Sequence, residues 1–249
     1  MVGSGQIARE RAWSEALGRR PAAPRVVAFT AGKGGVGTTS AAAGVALTIA
    51  ALLPGTVALA DTRNGTASLG LFIGDVPAPD AVAFAGGTVE PLRVDGVTVV
   101  DSAPWRTPLN RPTLARILAD LREDNLYTVL DVGDDASDIG HGALARADRV
   151  VVVTTNAPDA LAAAHRTLVR LHGIDAARAG AVVVAVTGVK RGRRGQSRRE
   201  PLPHAGPVVH LPWDPSLATG SGLEIDRLRR ETRAAYLELA ALISEDSAE

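Results

Sequence analysis

A glycine-rich stretch that follows an apolar segment carries the residues best suited to chemistry. Gly32 and Gly37 bracket four residues and are followed by Thr38 and Thr39, which fits the phosphate-loop pattern G-x-x-x-x-G-K-[S/T] except at the lysine. Glycines let a loop curl so that its main-chain N–H groups face phosphate oxygens, and the dipole of the following helix adds to the attraction. The hydroxyl of Thr39 stands where such a loop binds Mg²⁺. The candidate phosphate-binding residues are Gly32, Lys33, Gly34, Gly35, Val36, Gly37, Thr38 and Thr39.

A strand-to-helix turn without any ligand is the alternative interpretation of this stretch. Two observations favour nucleotide binding. Asp131 ends a later apolar segment, where an acidic side chain completes the magnesium site of such loops, and Lys33 is one of only two lysines among 27 basic residues. An ammonium is a compact point charge on a thin side chain, whereas a guanidinium is a broad planar group. We therefore expect a bound nucleotide, with Mg²⁺ held by Thr39 and Asp131.

Apolar segments that alternate between strand and helix patterns must position these residues. Strands rich in β-branched residues are predicted at 25–30, 56–61, 96–102, 126–132, 149–155, 181–188 and 207–212. Helices are predicted at 38–53, 110–124, 158–172 and 222–244, largely from apolar residues at helical spacing. Strands that are apolar on both sides and alternate with helices form a parallel sheet covered on both faces. The sequence therefore predicts an α/β three-layer sandwich of the P-loop NTPase type, with a mostly parallel central sheet of about seven or eight strands.

The composition fits one domain and excludes several kinds of site. The chain has 249 residues, 46% of them apolar, which suffices for one large core within residues 25–244. The absence of cysteine excludes disulfides, thiolate metal sites and cysteine nucleophiles. A formal net charge of zero gives no overall field toward nucleic acid or anionic membrane. Residues 1–24 are expected to form an appended helix and linker without an export signal, and residues 245–249 an acidic tail, so we expect a cytoplasmic protein.

The stretch GKGGVGTTS resembles the deviant Walker A motif of the MinD/ParA family of P-loop ATPases, whose hallmark is an early signature lysine, here Lys33. The resemblance extends over residues 25–244 and includes LYTVLDVGDD around Asp131 and the late segment HLPWDPSL. It implies that the nucleotide is ATP. It also implies a homodimer that encloses two nucleotides, in which Lys33 reaches the phosphates held by the partner subunit. It also implies that Thr187 and the backbone at Pro212 lie beside the adenine base.

The sequence departs from this family's pattern at three positions. Thr38 replaces the ordinary loop lysine, and Thr187 replaces the asparagine that commonly recognises adenine. In the segment LADTRNG, Asp61 aligns with the first aspartate of the family's D-x-D motif, and Arg63 takes the place of the second; a shift by one puts Thr62 there. Neither alignment supplies the second carboxylate, which orients the attacking water. Because phosphoryl transfer depends on positioned charges, we expect nucleotide binding with weak or absent hydrolysis.

The resemblance implies a role in placing a cellular assembly, such as a septum, a secretion or pilus system or a chromosome. Replacement of the loop lysine by a small residue is similar to TadZ/CpaE-like proteins, and actinobacterial MinD-like proteins are an equal alternative. We therefore expect a positioning or recruitment factor whose protein partner the sequence does not identify. Two other hypotheses stay open: a slow ATPase of the partitioning type, with Asp61 and Asp131 as candidate catalytic residues, and a nucleotide-free scaffold.

A basic segment, VKRGRRGQSRRE, is the DNA-binding candidate of the partitioning hypothesis. It contains Lys190, Arg191, Arg193, Arg194, Arg198 and Arg199. Phosphate contacts by such residues bind DNA without sequence preference. The simpler interpretation, which the glycines favour, is a solvated loop between two strands. The C-terminal helix has apolar positions typical of core packing and an acidic end, so direct membrane binding is not expected.

Overall fold

The computed structural model describes residues 4–63, 69–101, 108–174, 182–189, 206–217 and 222–245. The strands are β1 (Arg25–Ala31), β2 (Val57–Asp61), β3 (Leu92–Val94), β4 (Val97–Val100), β5 (Tyr127–Gly133), β6 (Arg149–Thr155), β7 (Val182–Thr187) and β8 (Val208–Leu211). They form one eight-stranded sheet in the order β3-β4-β2-β5-β1-β6-β7-β8. Every neighbouring pair is parallel except β3 and β4. The mostly parallel sheet predicted from the sequence is confirmed.

Helices cover the sheet and connect its strands. They are α1 (Ser4–Leu17), α2 (Thr38–Leu52), α3 (Leu69–Gly74), α4 (Ala81–Ala85), α5 (Arg111–Asp124), α6 (Asp138–Arg146), α7 (Pro158–Ile174) and α8 (Arg230–Ser244). No helix within the described ranges combines the length and the apolarity that crossing a bilayer requires.

The central strands read as nearly continuous apolar runs because both faces of the sheet are buried. Val27 and Phe29 of β1 point into one core, which α2 and α8 complete. Val26 and Ala28 point to the opposite face and join a second core with α5 and α6. All four side chains are fully buried. Alternation between two buried faces is the expected behaviour of a parallel strand.

The edge strand β3 was not predicted from the sequence. It forms a hairpin with β4 through a turn in which both Asp95 and Gly96 have positive φ, at 47° and 80°. An Asp-Gly pair is a favoured sequence for such a turn. Only three residues long, β3 has no fully buried side chain, and so it lacks the apolar run by which the other strands were found.

The last helix begins later than predicted. The sequence placed its start at residue 222, whereas α8 starts at Arg230, after a short 3-10 turn at Ile225–Arg227. Leu223 and Leu228 are nevertheless buried in the core. The spacing of these two leucines therefore indicated buried positions, but the segment before Arg230 is a loop with a 3-10 turn and not a helix. The short helices α3 and α4 and the nine-residue α6 were also not predicted.

Helix α1 packs against the rest of the domain. The buried side chain of Leu17 belongs to the same core as Phe29. Arg230 of α8 donates to Glu10 of α1 at 2.9 Å. The sequence assigned residues 1–24 to an N-terminal extension, and the described part of that segment covers α8.

Candidate functional site

The glycine-rich loop, residues 32–37, joins the end of β1 to the start of α2. Gly37 has φ of 89°, in the left-handed region that disfavours residues with a Cβ, and it immediately precedes the helix. Gly32 is required for a different reason, because a Cβ there would lie 2.3 Å from the main-chain oxygen of Ala163 in α7. The loop is thus shaped by local backbone conformation at one end and by close packing at the other.

Helix α2 begins at Thr38, the position that lacks the loop lysine, and Thr38 is only 8% exposed. The first N–H groups of an α-helix have no partner within the helix, so the amides of the first turn of α2 face the end of the loop. Together with the helix dipole they form a potential anion site. Thr38 brings no positive charge to it.

Thr39 and Asp131, the predicted metal pair, lie next to each other. The Thr39 hydroxyl donates to Asp131 Oδ2 at 2.5 Å. Asp131 is fully buried in β5, and its Oδ1 has no hydrogen-bond partner among the described residues. Burial raises the pKa of Asp131 to about 6, although the positive charge of Arg63 opposes the rise. The two side chains are therefore neighbours in the structure, and their binding of a metal stays a prediction.

Arg63 occupies the centre of the acidic site. Its Nε donates to Asp61 Oδ1 at 3.0 Å and its Nη2 to Asp61 Oδ2 at 3.1 Å. The same Nη2 lies 3.1 Å from Asp131 Oδ2. Asp61 and Asp131 are register partners on the adjacent strands β2 and β5, so the two carboxylates meet at the same edge of the sheet. Sequence reasoning treated Arg63 only as a missing carboxylate and did not find this bridge.

This arrangement does not fit a Mg²⁺ ion at Asp131 while Arg63 stays in place. Magnesium prefers oxygen ligands, and Thr39 and Asp131 supply two. However, Asp131 Oδ2 already contacts both the Thr39 hydroxyl and the Arg63 guanidinium. A metal ion on Oδ2 would face the guanidinium across a shared oxygen, and one on the unpartnered Oδ1 would still lie on the same carboxylate as this cation.

Lys33, the signature lysine, pairs within its own chain. Its Nζ lies 2.5 Å from Oδ2 of Asp159, in the first turn of α7. The side chains are 43% and 65% exposed, so the pair lies at the surface, where ion pairs are weak. The ammonium lowers the pKa of Asp159. The role predicted for Lys33 toward a partner subunit stays a prediction.

A cavity of about 170 Å³ adjoins the glycine loop and contains both residues predicted to lie near a base, Thr187 and Pro212. The Thr187 hydroxyl donates to the Val36 main-chain oxygen at 2.7 Å, and the Thr154 main-chain oxygen lies 3.1 Å away. Thr187 therefore ties the loop to β6 and β7. Sequence reasoning missed Trp213 in the cavity wall, although it follows Pro212 directly.

Asp214 fixes the segment on the other side of this cavity. It is 1% exposed and accepts hydrogen bonds from Ser216 N, Arg229 N and the Thr232 hydroxyl at 2.8–3.0 Å. Burial alone would raise the pKa of Asp214, but these hydrogen bonds outweigh it and lower the pKa below its usual value. The carboxylate thereby joins the end of β8 to the start of α8.

The basic segment between Lys190 and Arg199 lies outside the described residues. Its predicted contacts with DNA stay a hypothesis.

No protein-family model matches this chain, and no curated protein matches its sequence. Solved structures do match. The ParA family ATPase from Chlorobium tepidum TLS has a TM-score of 0.73 and 16% sequence identity, over 88% of this chain and 99% of that chain. The septum site-determining protein MinD of Pyrococcus horikoshii OT3, complexed with Mg-ADP, has a TM-score of 0.67 and 18% identity, over 87% and 94%. The MinC:MinD cell division protein complex of Aquifex aeolicus has a TM-score of 0.67 and 17% identity, also over 87% and 94%.

At these identities the likeness concerns the arrangement of the backbone. It spans most of both chains in each comparison, so it is not confined to a glycine loop between a strand and a helix. The chain has the fold of the ParA and MinD ATPases.

Proposed function

We propose that this chain binds a nucleotide at the glycine loop and uses the bound state to position or recruit a partner protein. The proposal rests on one observation, which is that two suitable features lie side by side. A loop shaped by Gly32 and Gly37 leads into the N-terminus of α2, and a cavity lined by the same loop, Thr187 and Pro212 lies beside it. Main-chain amides would hold phosphates at the first feature, and the second is a place for the base.

Weak or absent hydrolysis is supported by the contacts of Asp61, which is a candidate catalytic residue although it aligns with the first aspartate and not with the missing second one. Both of its carboxylate oxygens accept hydrogen bonds from Arg63, so the carboxylate is engaged by a cation instead of being set to orient water. A positioned general base contributes about 10²–10⁴-fold to a rate. Without one, the nucleotide acts as a bound switch.

A positional role for a dimer is supported by the fold. The MinD protein of Aquifex aeolicus is found in complex with MinC, and the MinD protein of Pyrococcus horikoshii OT3 with Mg-ADP. By analogy this chain would form a homodimer across the loop face, with Lys33 near the phosphates held by the partner subunit. The loss of the loop lysine at position 38 is similar to TadZ/CpaE-like proteins, and actinobacterial MinD-like proteins are an equal alternative within our proposal.

Calorimetric titration of the full chain with ATP and with ADP tests nucleotide binding. The diagnostic variant is Gly37→Ala, because a Cβ at φ of 89° costs about 1–2 kcal/mol and drives the loop amides away from their present direction. Restoring that direction on binding should weaken affinity about tenfold. The matched control is Gly55→Ala, which has φ of 73° and no atom within 4 Å of the added Cβ. It lies beyond the opposite end of α2, about 20 Å from the loop, so its affinity should equal that of the wild type.

Two outcomes contradict the proposal. If the wild type binds neither ATP nor ADP, the nucleotide-free scaffold is supported instead. Equal loss of affinity in both glycine variants means that the loop is not the binding site. A phosphate-release assay on the same samples should show weak or no turnover, whereas slow turnover that DNA or a partner stimulates supports the partitioning ATPase.

A further inference from the structure

We propose that the guanidinium of Arg63 takes the place of the divalent metal ion, so that this chain binds a nucleoside polyphosphate in its metal-free form. This inference depends on nucleotide binding at the glycine loop, as proposed above. It assigns to Arg63 a cationic role that replaces both the missing loop lysine and the metal.

The position of the guanidinium supports this role. It bridges the buried carboxylates of Asp61 and Asp131, at 3.0–3.1 Å, on two adjacent strands. Its Nη2 contacts the same Asp131 oxygen as the Thr39 hydroxyl, and Thr39 belongs to the first turn of α2. The cation therefore lies beside the helix terminus that would receive the phosphates.

The surrounding residues are shaped to hold this side chain. The Arg63 main-chain N–H also donates to Asp61 Oδ1, at 2.8 Å. Gly133, at the end of β5, has φ of 59°, and a Cβ there would lie 2.5 Å from Arg63 Cδ. A side chain at position 133 would thus displace the arginine. Arg63 is 29% exposed, which distinguishes it from a solvated surface residue.

Charge explains why this cation and a metal ion exclude each other. Asp61 and Asp131 are 1% and 0% exposed and carry two negative charges when both are ionised. Arginine stays protonated at any working pH and offsets one of them. A divalent ion at Asp131 would lie on the same carboxylate as the guanidinium, and the two cations would repel each other. The planar guanidinium is also well suited to phosphate oxygens, which it binds in the same way as carboxylates.

A purely structural ion pair is the competing explanation. In that case Arg63 would only neutralise the carboxylates at the ends of β2 and β5. A nucleotide would then either need Mg²⁺ or bind equally well without Arg63. The two explanations therefore differ in how affinity depends on the metal, which can be measured directly.

The test is calorimetric titration of the full chain with ADP, once with excess EDTA and once with excess MgCl₂. We expect the wild type to bind ADP in EDTA at least as tightly as in Mg²⁺. Arg63→Ala should lose at least about tenfold affinity in EDTA, because a charge-assisted contact is lost, and should regain affinity when Mg²⁺ is added. Arg63→Lys should lie between the two. Arg11→Ala removes an exposed arginine of α1 and serves as the control without an effect.

Three results overturn the inference. The first is wild-type binding that weakens about tenfold or more in EDTA, which leaves nucleotide binding intact but makes it metal-dependent. The second is Arg63→Ala affinity equal to that of the wild type in EDTA. The third is no ADP binding by the wild type in either buffer, which overturns the inference; if ATP also fails to bind, the proposed function is refuted as well. Thermal melts check that each variant folds. If Arg63→Ala does not fold, the comparison of wild-type affinity in EDTA and in MgCl₂ still tests the inference.

Discussion

Gly44 in α2 is a site where one methyl group should disturb the domain beneath the glycine loop. A Cβ built there would lie 2.4 Å from Cζ of Tyr236 and 2.5 Å from its Cε1. The Tyr236 ring is 1% exposed and belongs to α8, and its hydroxyl donates to the Ser40 main-chain oxygen at 3.1 Å. The ring is therefore fixed at both its face and its tip. Gly44→Ala must push α2 and α8 apart.

The expected cost follows from two opposing effects. Overpacking of a filled core typically costs about 1–3 kcal/mol, and a clash of this depth against a fixed ring belongs in the upper part of that range. Alanine in place of glycine inside a helix returns about 0.8–1.0 kcal/mol. The net loss in the free energy of unfolding should be about 1–2 kcal/mol. For a chain of this size that lowers Tm by about 2–8 °C.

Thermal and urea denaturation measure this loss. Gly173→Ala in α7 is the matched control, because no atom lies within 4 Å of its added Cβ, and it should raise stability by up to about 1 kcal/mol. In a Tyr236→Leu background, Gly44→Ala should cost less than it does in the wild type. The clash argument is refuted if Gly44→Ala is as stable as the wild type, or if its cost is unchanged after the ring is removed.

Three further changes test other parts of the structure. Asp214→Asn should cost about 1–3 kcal/mol at pH 7, from hydrogen bonds to a buried carboxylate. Because the folded-state pKa of Asp214 is lowered, the stabilisation by this carboxylate is present above its unfolded pKa and is lost as pH falls. Urea unfolding at pH 3 should therefore show a smaller difference in stability between the wild type and Asp214→Asn than at pH 7. An equal difference at both pH values contradicts this. Asp159→Ala removes the partner of Lys33 in its own chain. It should increase nucleotide-dependent dimerisation in sedimentation experiments at low salt. If neither Asp159→Ala nor Lys33→Ala changes dimerisation, Lys33 has no trans role. Leu17→Ala should cost about 2–5 kcal/mol in a thermal melt, because its buried side chain belongs to the main core; an unchanged Tm would mean that α1 contributes nothing to folding.

Much of the fold could be predicted because burial on two faces leaves a clear pattern in the sequence. The central strands are buried along their length and mostly apolar, as in Arg149–Thr155 with its four consecutive valines. Elements that make few core contacts were not found. Helix α3 spans six residues and α4 only five, which is too short for helical periodicity. The start of helix α3 is fixed by a residue distant in sequence, because Asp101, directly after β4, accepts a hydrogen bond from the N–H of Leu69 at 2.8 Å.

The candidate site was predicted in part for a related reason. Thr39 and Asp131 each occupy a recognisable position in a motif, and the structure brings them together. The bridge formed by Arg63 depends on the register that sets Asp61 beside Asp131 on neighbouring strands. The sequence does not state that register. An acidic residue two positions before an arginine, at the end of a buried strand, was the available signal, and it was interpreted only as the loss of a carboxylate.

The threonine at position 38 and the arginine at position 63 are best understood together. The site buries two carboxylates, Asp61 and Asp131, and buried charges require a partner. A carboxylate at position 63 would add a third acid beside Asp61 and Asp131 and leave no arginine there to offset them. With Thr38 and Arg63, one guanidinium at the strand end serves the two carboxylates and lies beside the first turn of α2. Under the proposal made above, this guanidinium supplies at the end of the second strand the positive charge that Thr38 does not supply in the loop.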